Sequence, residues 1–215
     1  MAMLTGPEIR KLLAEPLKDR LVVTPLLDAD VQIGDASIDV RLGNEFVLMR
    51  RRAFRTVDLA DFETLKPKIA SYQERLRIEF GRSIVLHPNQ LVLGSTLEYV
   101  KLPDNVGAYV VGRSSWGRLG LVIATATAVA PGFRGCITLE LSNLGEVPLV
   151  LYPGVRVAQL VLHTAIGTAS YAGRYSCPTG PQFSRIYDDP ELAFWCPKPG
   201  DSPETDSETS SPVPK

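Results

Sequence analysis

Between Gly112 and Arg118 the chain reads Gly-Arg-Ser-Ser-Trp-Gly-Arg, which places two guanidiniums, two hydroxyls and flexible backbone N–H groups side by side. Arginine grips phosphate oxygens in bidentate fashion and hydroxyls add donors, so this composition suits a polyphosphate. It is neither a Walker loop nor a G-x-G-x-x-G turn, so no P-loop or dinucleotide fold follows. An ordinary polar turn has the same composition, and spacing alone does not separate the two. Further on, Ile137-Thr138-Leu139-Glu140-Leu141-Ser142 alternates. Ile137, Leu139 and Leu141 fall on one face, with Thr138, Glu140 and Ser142 on the other. Glutamate is disfavoured in mid-strand. On an enclosed face Glu140 is a candidate general base; on an open one it is a surface carboxylate. Gln159 shares a face with Val155, Val157 and Val161. Such an amide either reads a base edge or satisfies a hydrogen bond in the core.

These residues need elements to hold them. Thr5-Gly6-Pro7-Glu8 has the spacing of a capping box, and Ile9, Leu12 and Leu13 follow at helical intervals. This predicts a short N-terminal helix to about Leu13, with Pro16 stopping it. Ser37 to Gly43 alternates, halts at the Gly43-Asn44 turn and resumes at 45–49, as two strands joined by a turn would. The charged stretch from Arg50 to about Arg82, with Arg51, Arg52 and Arg55, reads as a solvated loop; a phosphate contact from its basic run is the alternative. Strand-like pieces then recur at 84–86, 91–93, 108–111, 121–123, 137–141, 149–152 and 155–162, punctuated by Gly and Pro. Many short strands with turn signals mean a mainly β fold: a sandwich, jelly roll or barrel. No repeat of solenoid length is visible. Residues 197–215 hold five Pro, four Ser and four acidic residues but no aromatic one. That composition predicts a disordered tail after a folded domain over 1–196.

Composition narrows the chemistry. The chain has 215 residues, with 23 Lys and Arg against 24 Asp and Glu, a formal charge of −1. This supplies no basic field for nucleic acid. No apolar run reaches the roughly 18 residues of a membrane span. Cys136, Cys177 and Cys196 form no C-x-x-C pair, and neither His87 nor His163 sits in an H-x-E or H-E-x-x-H motif. Zinc hydrolase or zinc deaminase chemistry is therefore not expected. Scattered cysteines behind a start with no basic or apolar leader pattern point to the cytoplasm.

Taken together, the motifs resemble the dCTP deaminases of the trimeric dUTPase superfamily. The resemblance rests on Ser37-Ile38-Asp39-Val40-Arg41-Leu42-Gly43, on Gly112-Arg113-Ser114-Ser115-x-x-Arg118-Leu119-Gly120, and on Pro131-Gly132-Phe133-x-Gly135-x-x-Thr138-Leu139-Glu140. Pro153-Gly154, Gln159-Leu160 and Gly180-Pro181-x-x-Ser184-Arg185 extend it, so that it covers roughly Leu4 to Asp189. It implies a distorted β-barrel or jelly-roll subunit, the dUTPase-like β-clip, in a homotrimer with shared active sites. It also implies conversion of dCTP and water to dUTP and ammonia. In that reading Glu140 takes a proton from the water that attacks cytosine C4, and Ser114 bonds near the amine. Arg118 stabilises charge, and the Ala126 carbonyl helps to place the water. Arg113, Ser115, Thr138, Leu139, Gln159, Tyr171, Arg174 and Gln182 contact the nucleotide. Mg²⁺ accompanies the triphosphate without protein ligands, and zinc has no part.

The chain departs from the family pattern in two places. Ala130 stands where the superfamily has Asp before Pro-Gly, which argues against dUTP diphosphatase activity. Arg174-Tyr175-Ser176-Cys177-Pro178-Thr179-Gly180 keeps only its first two residues of the family lid, with Pro178 in place of a phosphate-contacting Gln. The competing readings are a nucleotide-binding module without catalysis and a dUTP diphosphatase or bifunctional enzyme.

Overall fold

Alternating apolar residues and frequent Gly and Pro build most of this chain from antiparallel strands. The computed structural model describes residues 2–50, 56–123, 127–175 and 177–196. In chain order the elements are α1 (Gly6–Ala14), β1 (Val22–Thr24), α2 (Ala29–Gln32), β2 (Ile38–Arg41), β3 (Glu45–Met49) and α3 (Phe62–Tyr72). There follow β4 (Gln73–Arg77), β5 (Ile84–Leu86), β6 (Leu91–Lys101), β7 (Val106–Gly112), α4 (Ser114–Gly117), β8 (Leu121–Ile123) and β9 (Ala128–Val129). The last are β10 (Arg134–Asn143), β11 (Leu149–Leu151), β12 (Arg156–Thr164), a 3₁₀ turn (Ile186–Asp188) and α5 (Leu192–Trp195).

The strands form a larger sheet in the order β4-β3-β6-β10-β8, a second sheet β2-β12-β7-β9 and a pair β11-β5. β6 organises the larger one. β10 runs along one edge of β6, while β1 and β3 share the other. The mainly β architecture expected from strand spacing forms, with open sheets wrapped on one core; pairings among the described residues do not close a barrel. The core holds Ile38, Val40, Phe46, Leu139, Leu141, Val157 and Leu160, all without exposure. Burying each such side chain is worth about 1.5–3 kcal/mol before entropy is counted.

Three local expectations change. The strands flanking Gly43-Asn44 are not a hairpin: β2 pairs with β12, while β3 pairs with β4 and β6. The turn carries the chain from one sheet to the next, with the Gly43 N–H on the Ser95 carbonyl at 2.7 Å. A Cβ at Gly43 would lie 3.0 Å from Ser95 Oγ, so the close crossing favours glycine. The stretch expected as a loop contains α3 and β4. Leu65 and Ile69, one turn apart, bury against Leu192, and β4 is recruited by pairing with β3. Packing overrides Pro67 inside the helix. Arg51, Arg52 and Arg55 lie outside the described residues, as does the 197–215 tail. At α1 the Thr5 hydroxyl makes no capping bond. Pro7 removes one N–H the hydroxyl could meet, and the Gly6 N–H goes to the Asp35 carbonyl at 2.7 Å.

A buried polar knot lies under β10. Glu98 of β6, fully enclosed, accepts the Arg41 backbone N–H at 2.8 Å, Gln32 Nε2 at 3.1 Å and Arg41 Nη1 at 3.4 Å. Thr96 donates its hydroxyl to the Glu98 carbonyl at 2.7 Å and accepts the Ile137 N–H at 2.9 Å. Among the described residues no helix is long and apolar enough to cross a membrane.

Candidate active site

β10 carries the residues that matter, and its ladder is not regular. Its pairing with β6 shifts register between Cys136 and Thr138. Three residues of β6, Thr96–Glu98, stand opposite the single Ile137, and the Thr96 hydroxyl of that bulged segment accepts the Ile137 N–H. Such a bulge re-aims side chains locally. Beyond it Leu139 and Leu141 enter the core without exposure, while Thr138 and Glu140 turn half-buried to the opposite face.

That opposite face floors a cavity of about 580 Å³. Leu91 and Leu93 of β6 give it an apolar base, and Glu140 stands directly across from Leu93 in the register. Ala130 and Phe133 wall one side. The irregular segment after β12 returns as a cover, contributing Tyr171, Tyr175, Gln182 and Phe183. Hydrogen bonds attach the cover to β10 and β4. The Cys136 N–H donates to the Pro178 carbonyl at 2.7 Å, the Gln182 N–H to Thr138 Oγ1 at 3.3 Å, and the Ser184 N–H to Gln73 Oε1 at 3.1 Å. The Arg75 guanidinium lies 4.8 Å from the Phe183 ring centre, and the Phe133 and Tyr171 rings tilt together at 5.7 Å. The Cys136 thiol also lines this space; burial, then the Glu98 and Glu45 charges, pushes its pKa up, so it stays a neutral wall.

Gly135 makes the docking of the cover possible. Its φ is +140°, and a Cβ there would sit 2.3 Å from Pro178 Cδ. Gly135→Ala is expected to expel the cover from β10. The KM for the cavity's substrate should then rise about tenfold or more, with a stability loss of about 1–3 kcal/mol. Steady-state kinetics beside urea denaturation check this, and an unchanged KM would contradict the role given to the cover.

The remaining expected residues form a second group, away from this cavity. Arg113, Ser114, Ser115 and Arg118 follow β7 around α4, and neither they nor Gln159 line the space around Glu140. Asp39 of β2 joins several of them. Its Oδ2 lies 2.9 Å from Arg156 Nη1 and 3.3 Å from Arg113 Nε, and its Oδ1 accepts Gln159 Nε2 at 2.9 Å. Gln159 also donates to Ser37 Oγ at 3.3 Å, and Trp116 Nε1 to the Arg156 carbonyl at 2.9 Å. Ser114, Ser115 and Arg118 are exposed.

Of the expected contact residues, Thr138, Glu140, Tyr171 and Gln182 thus meet in the cavity. Leu139 does not; its side chain is in the core, because strand alternation turns it away from Glu140. Arg174 points to Asp189 at 2.8 Å and not into the cavity. Ala126 lies outside the described residues. Sequence reasoning missed Gln73, because its segment read as a loop, and it missed Arg156. Strict alternation puts Arg156 opposite Gln159 and places Val157 beside it. A second bulge, between Arg156 and Ala158, sends Val157 into the core and brings Arg156 to Asp39 with Gln159. No group of three His, Cys, Asp or Glu among the described residues could hold a metal ion.

The chain is similar to known proteins. The family model described as dCTP deaminase-like matches residues 3–165. A Methanobrevibacter smithii protein named dCTP deaminase, dUMP-forming, is 40% identical over 200 residues, covering 89% of this chain and 99% of its own length. A Halorubrum lacusprofundi protein named dCTP deaminase is 42% identical over 179 residues, covering 80% and 86%. The crystal structure of 2'-deoxycytidine 5'-triphosphate deaminase from Agrobacterium tumefaciens matches 74% of this chain with a TM-score of 0.55 and 25% identity; this chain spans 46% of that one. Since the family match runs through both the Arg113–Arg118 segment and the Glu140 strand, and the identity extends over nearly whole relatives, the chain belongs to the dCTP deaminase family.

Proposed function

We propose that the protein converts dCTP and water to dUTP and ammonia in a cytoplasmic homotrimer, with Glu140 as the group that moves the proton. The observation that carries this is the position of Glu140: a strand carboxylate facing a covered, apolar-floored cavity large enough for a nucleoside. The carboxylate removes a proton from water as the oxygen attacks C4. It returns that proton to the amine, the C4–N bond breaks, and ammonia leaves. Both halves are ordinary general acid–base work. Gln182 and Thr138 offer an amide and a hydroxyl to the pyrimidine edge. Mg²⁺ enters as the counter-ion of the triphosphate, a part of the substrate and not a protein-held group.

The separation of the two groups supports a shared site. In this reading Ser114, Ser115 and Arg118 of one copy meet the Glu140 cavity of the next, with Arg113 and Gln159 serving the phosphate end. Isologous or cyclic assembly brings distant patches of one chain together in this way.

The product is the finer question, because several relatives carry the name dUMP-forming. Release of dUMP needs a second hydrolysis, at the α–β phosphoanhydride, with its own activated water. Ala130 lies in the cavity wall, and Glu140 is the one carboxylate among the lining residues described. That favours dUTP. Incubating the protein with dCTP and Mg²⁺ should yield ammonia and dUTP in equal amounts without pyrophosphate. Pyrophosphate in step with ammonia would establish the dUMP-forming reading instead, and no ammonia would refute deamination.

A further inference from the structure

We infer that Asp39 is a positioning residue that sets Arg156 beside Arg113 as a two-arginine site for the triphosphate, with Arg156 a phosphate-binding residue in its own right. The inference deepens, and rests on, the reading of the substrate as dCTP. The carboxylate of Asp39 is almost wholly covered, at 9% exposure, whereas both arginine side chains keep 29%. One buried anion thus holds two half-exposed cations, and the cluster keeps a net positive charge. Each guanidinium has five N–H donors. Arg156 uses Nη1 on Asp39 and on the Val31 carbonyl at 2.8 Å, and Arg113 uses Nε on Asp39 and Nη1 on the Arg156 carbonyl at 3.3 Å. Donors on both remain for an incoming anion. The geometry is anchored on three sides, since Gln159 takes the second oxygen of Asp39 and Trp116 shares the Arg156 carbonyl. The adjoining hydroxyls of Ser114 and Ser115 are exposed, so a phosphate chain at the arginines also meets neutral donors.

Charge and position make opposite demands on Asp39, and this makes the idea testable. As a mere charge, Asp39 repels phosphate, and its removal tightens anion binding. As the holder of two side chains, it must be present for them to act together, and its removal weakens binding. The probe is inorganic tripolyphosphate, titrated calorimetrically into the full-length protein. Arg156→Gln should bind it about ten- to a hundredfold more weakly, the loss of a charge-assisted bond or two. Arg156→Lys should recover part of this, because the charge stays while the fork is lost. Asp39→Asn should bind about tenfold more weakly despite losing a negative charge. Lys11→Gln, on exposed α1, should change nothing. In turnover the Asp39 and Arg156 variants should raise the KM for dCTP, leave kcat within about twofold, and leave any turnover of deoxycytidine unchanged.

Unchanged or tighter tripolyphosphate binding by Asp39→Asn overturns its positioning role. Unchanged binding by Arg156→Gln overturns the phosphate role, and that pair decides the matter if Asp39→Asn does not fold. A wild type that binds no tripolyphosphate overturns both. These outcomes separate from the deaminase reading. Turnover of dCTP with binding insensitive to Arg156 leaves the activity and removes the site. Sensitive binding without ammonia release leaves the site and removes the activity.

Discussion

Glu140→Gln is expected to lower dCTP turnover by about 10²–10⁴-fold while nucleotide binding persists. Gln keeps the shape and one oxygen acceptor of Glu140, so the cavity and its cover stand. What it loses is a group able to take a proton and return it. Because Glu140 projects from a strand whose alternate residues, Leu139 and Leu141, are locked in the core, the substitution has little room to disturb the fold. Calorimetric binding of dCTP beside ammonia release checks the split. Retained turnover would remove Glu140 from the mechanism. The same variant tests the shared site. Ser114→Ala, on the other group, should also be inactive or nearly so. When the two inactive proteins are unfolded, mixed and reassembled, about a quarter of sites should combine an intact Glu140 with an intact Ser114 from different copies. Recovered activity of that order supports a site between copies, whereas none at all places both residues in one chain's site.

Glu98→Ala is expected to destabilise the protein by about 3–5 kcal/mol, the usual consequence of breaking a buried ion pair on one side. Arg41 and Gln32 would lose their common acceptor inside the protein, and Thr96, which accepts the Ile137 N–H, lies on the same strand as Glu98. The pH dependence has a definite sign. Burial, the largest influence, outweighs the bonds from Arg41 and raises the Glu98 carboxyl above its usual 4.5. In the folded state Glu98 therefore holds its proton where the unfolded chain has lost it. Its contribution is fully present below about pH 4.5 and is lost as pH rises through the raised folded value. Against Glu98→Gln, which does not titrate, the stability margin of the wild type should narrow as pH rises above about 4.5 and through the raised folded value. Urea denaturation across that range measures it, and a widening margin would contradict the direction.

How far the sequence reaches is clear from individual residues. β3 at 45–49, β5 at 84–86 and β8 at 121–123 match their expected limits, because alternation bounded by turn residues is a local signal. Glu140 was recognisable for the same reason: a carboxylate on the polar face of an apolar strand. α3 carried its helical spacing in Leu65 and Ile69, but charge and Pro67 masked it, and only Leu192, far along the chain, makes its burial possible. The fate of Gly43-Asn44 was equally out of reach. A turn between two strands looks the same whether they pair with each other or leave for different sheets.

By itself, then, the sequence determined the strand content, the polar and apolar faces of β10, and the residue types able to bind a phosphate and move a proton. Family membership was legible in those same motifs. The tertiary structure decided which of them meet. It placed Glu140, Thr138, Tyr171 and Gln182 around one cavity, and Arg113 and Gln159 around Asp39 elsewhere. It also added Arg156, which alternation had assigned to the wrong face. The physical reason is the β-bulge. Alternation is a property of neighbouring residues, whereas extra residues in a ladder, in β6 opposite Ile137 or at Val157 in β12, depend on the partner strand and on side chains such as Thr96 that satisfy the displaced N–H.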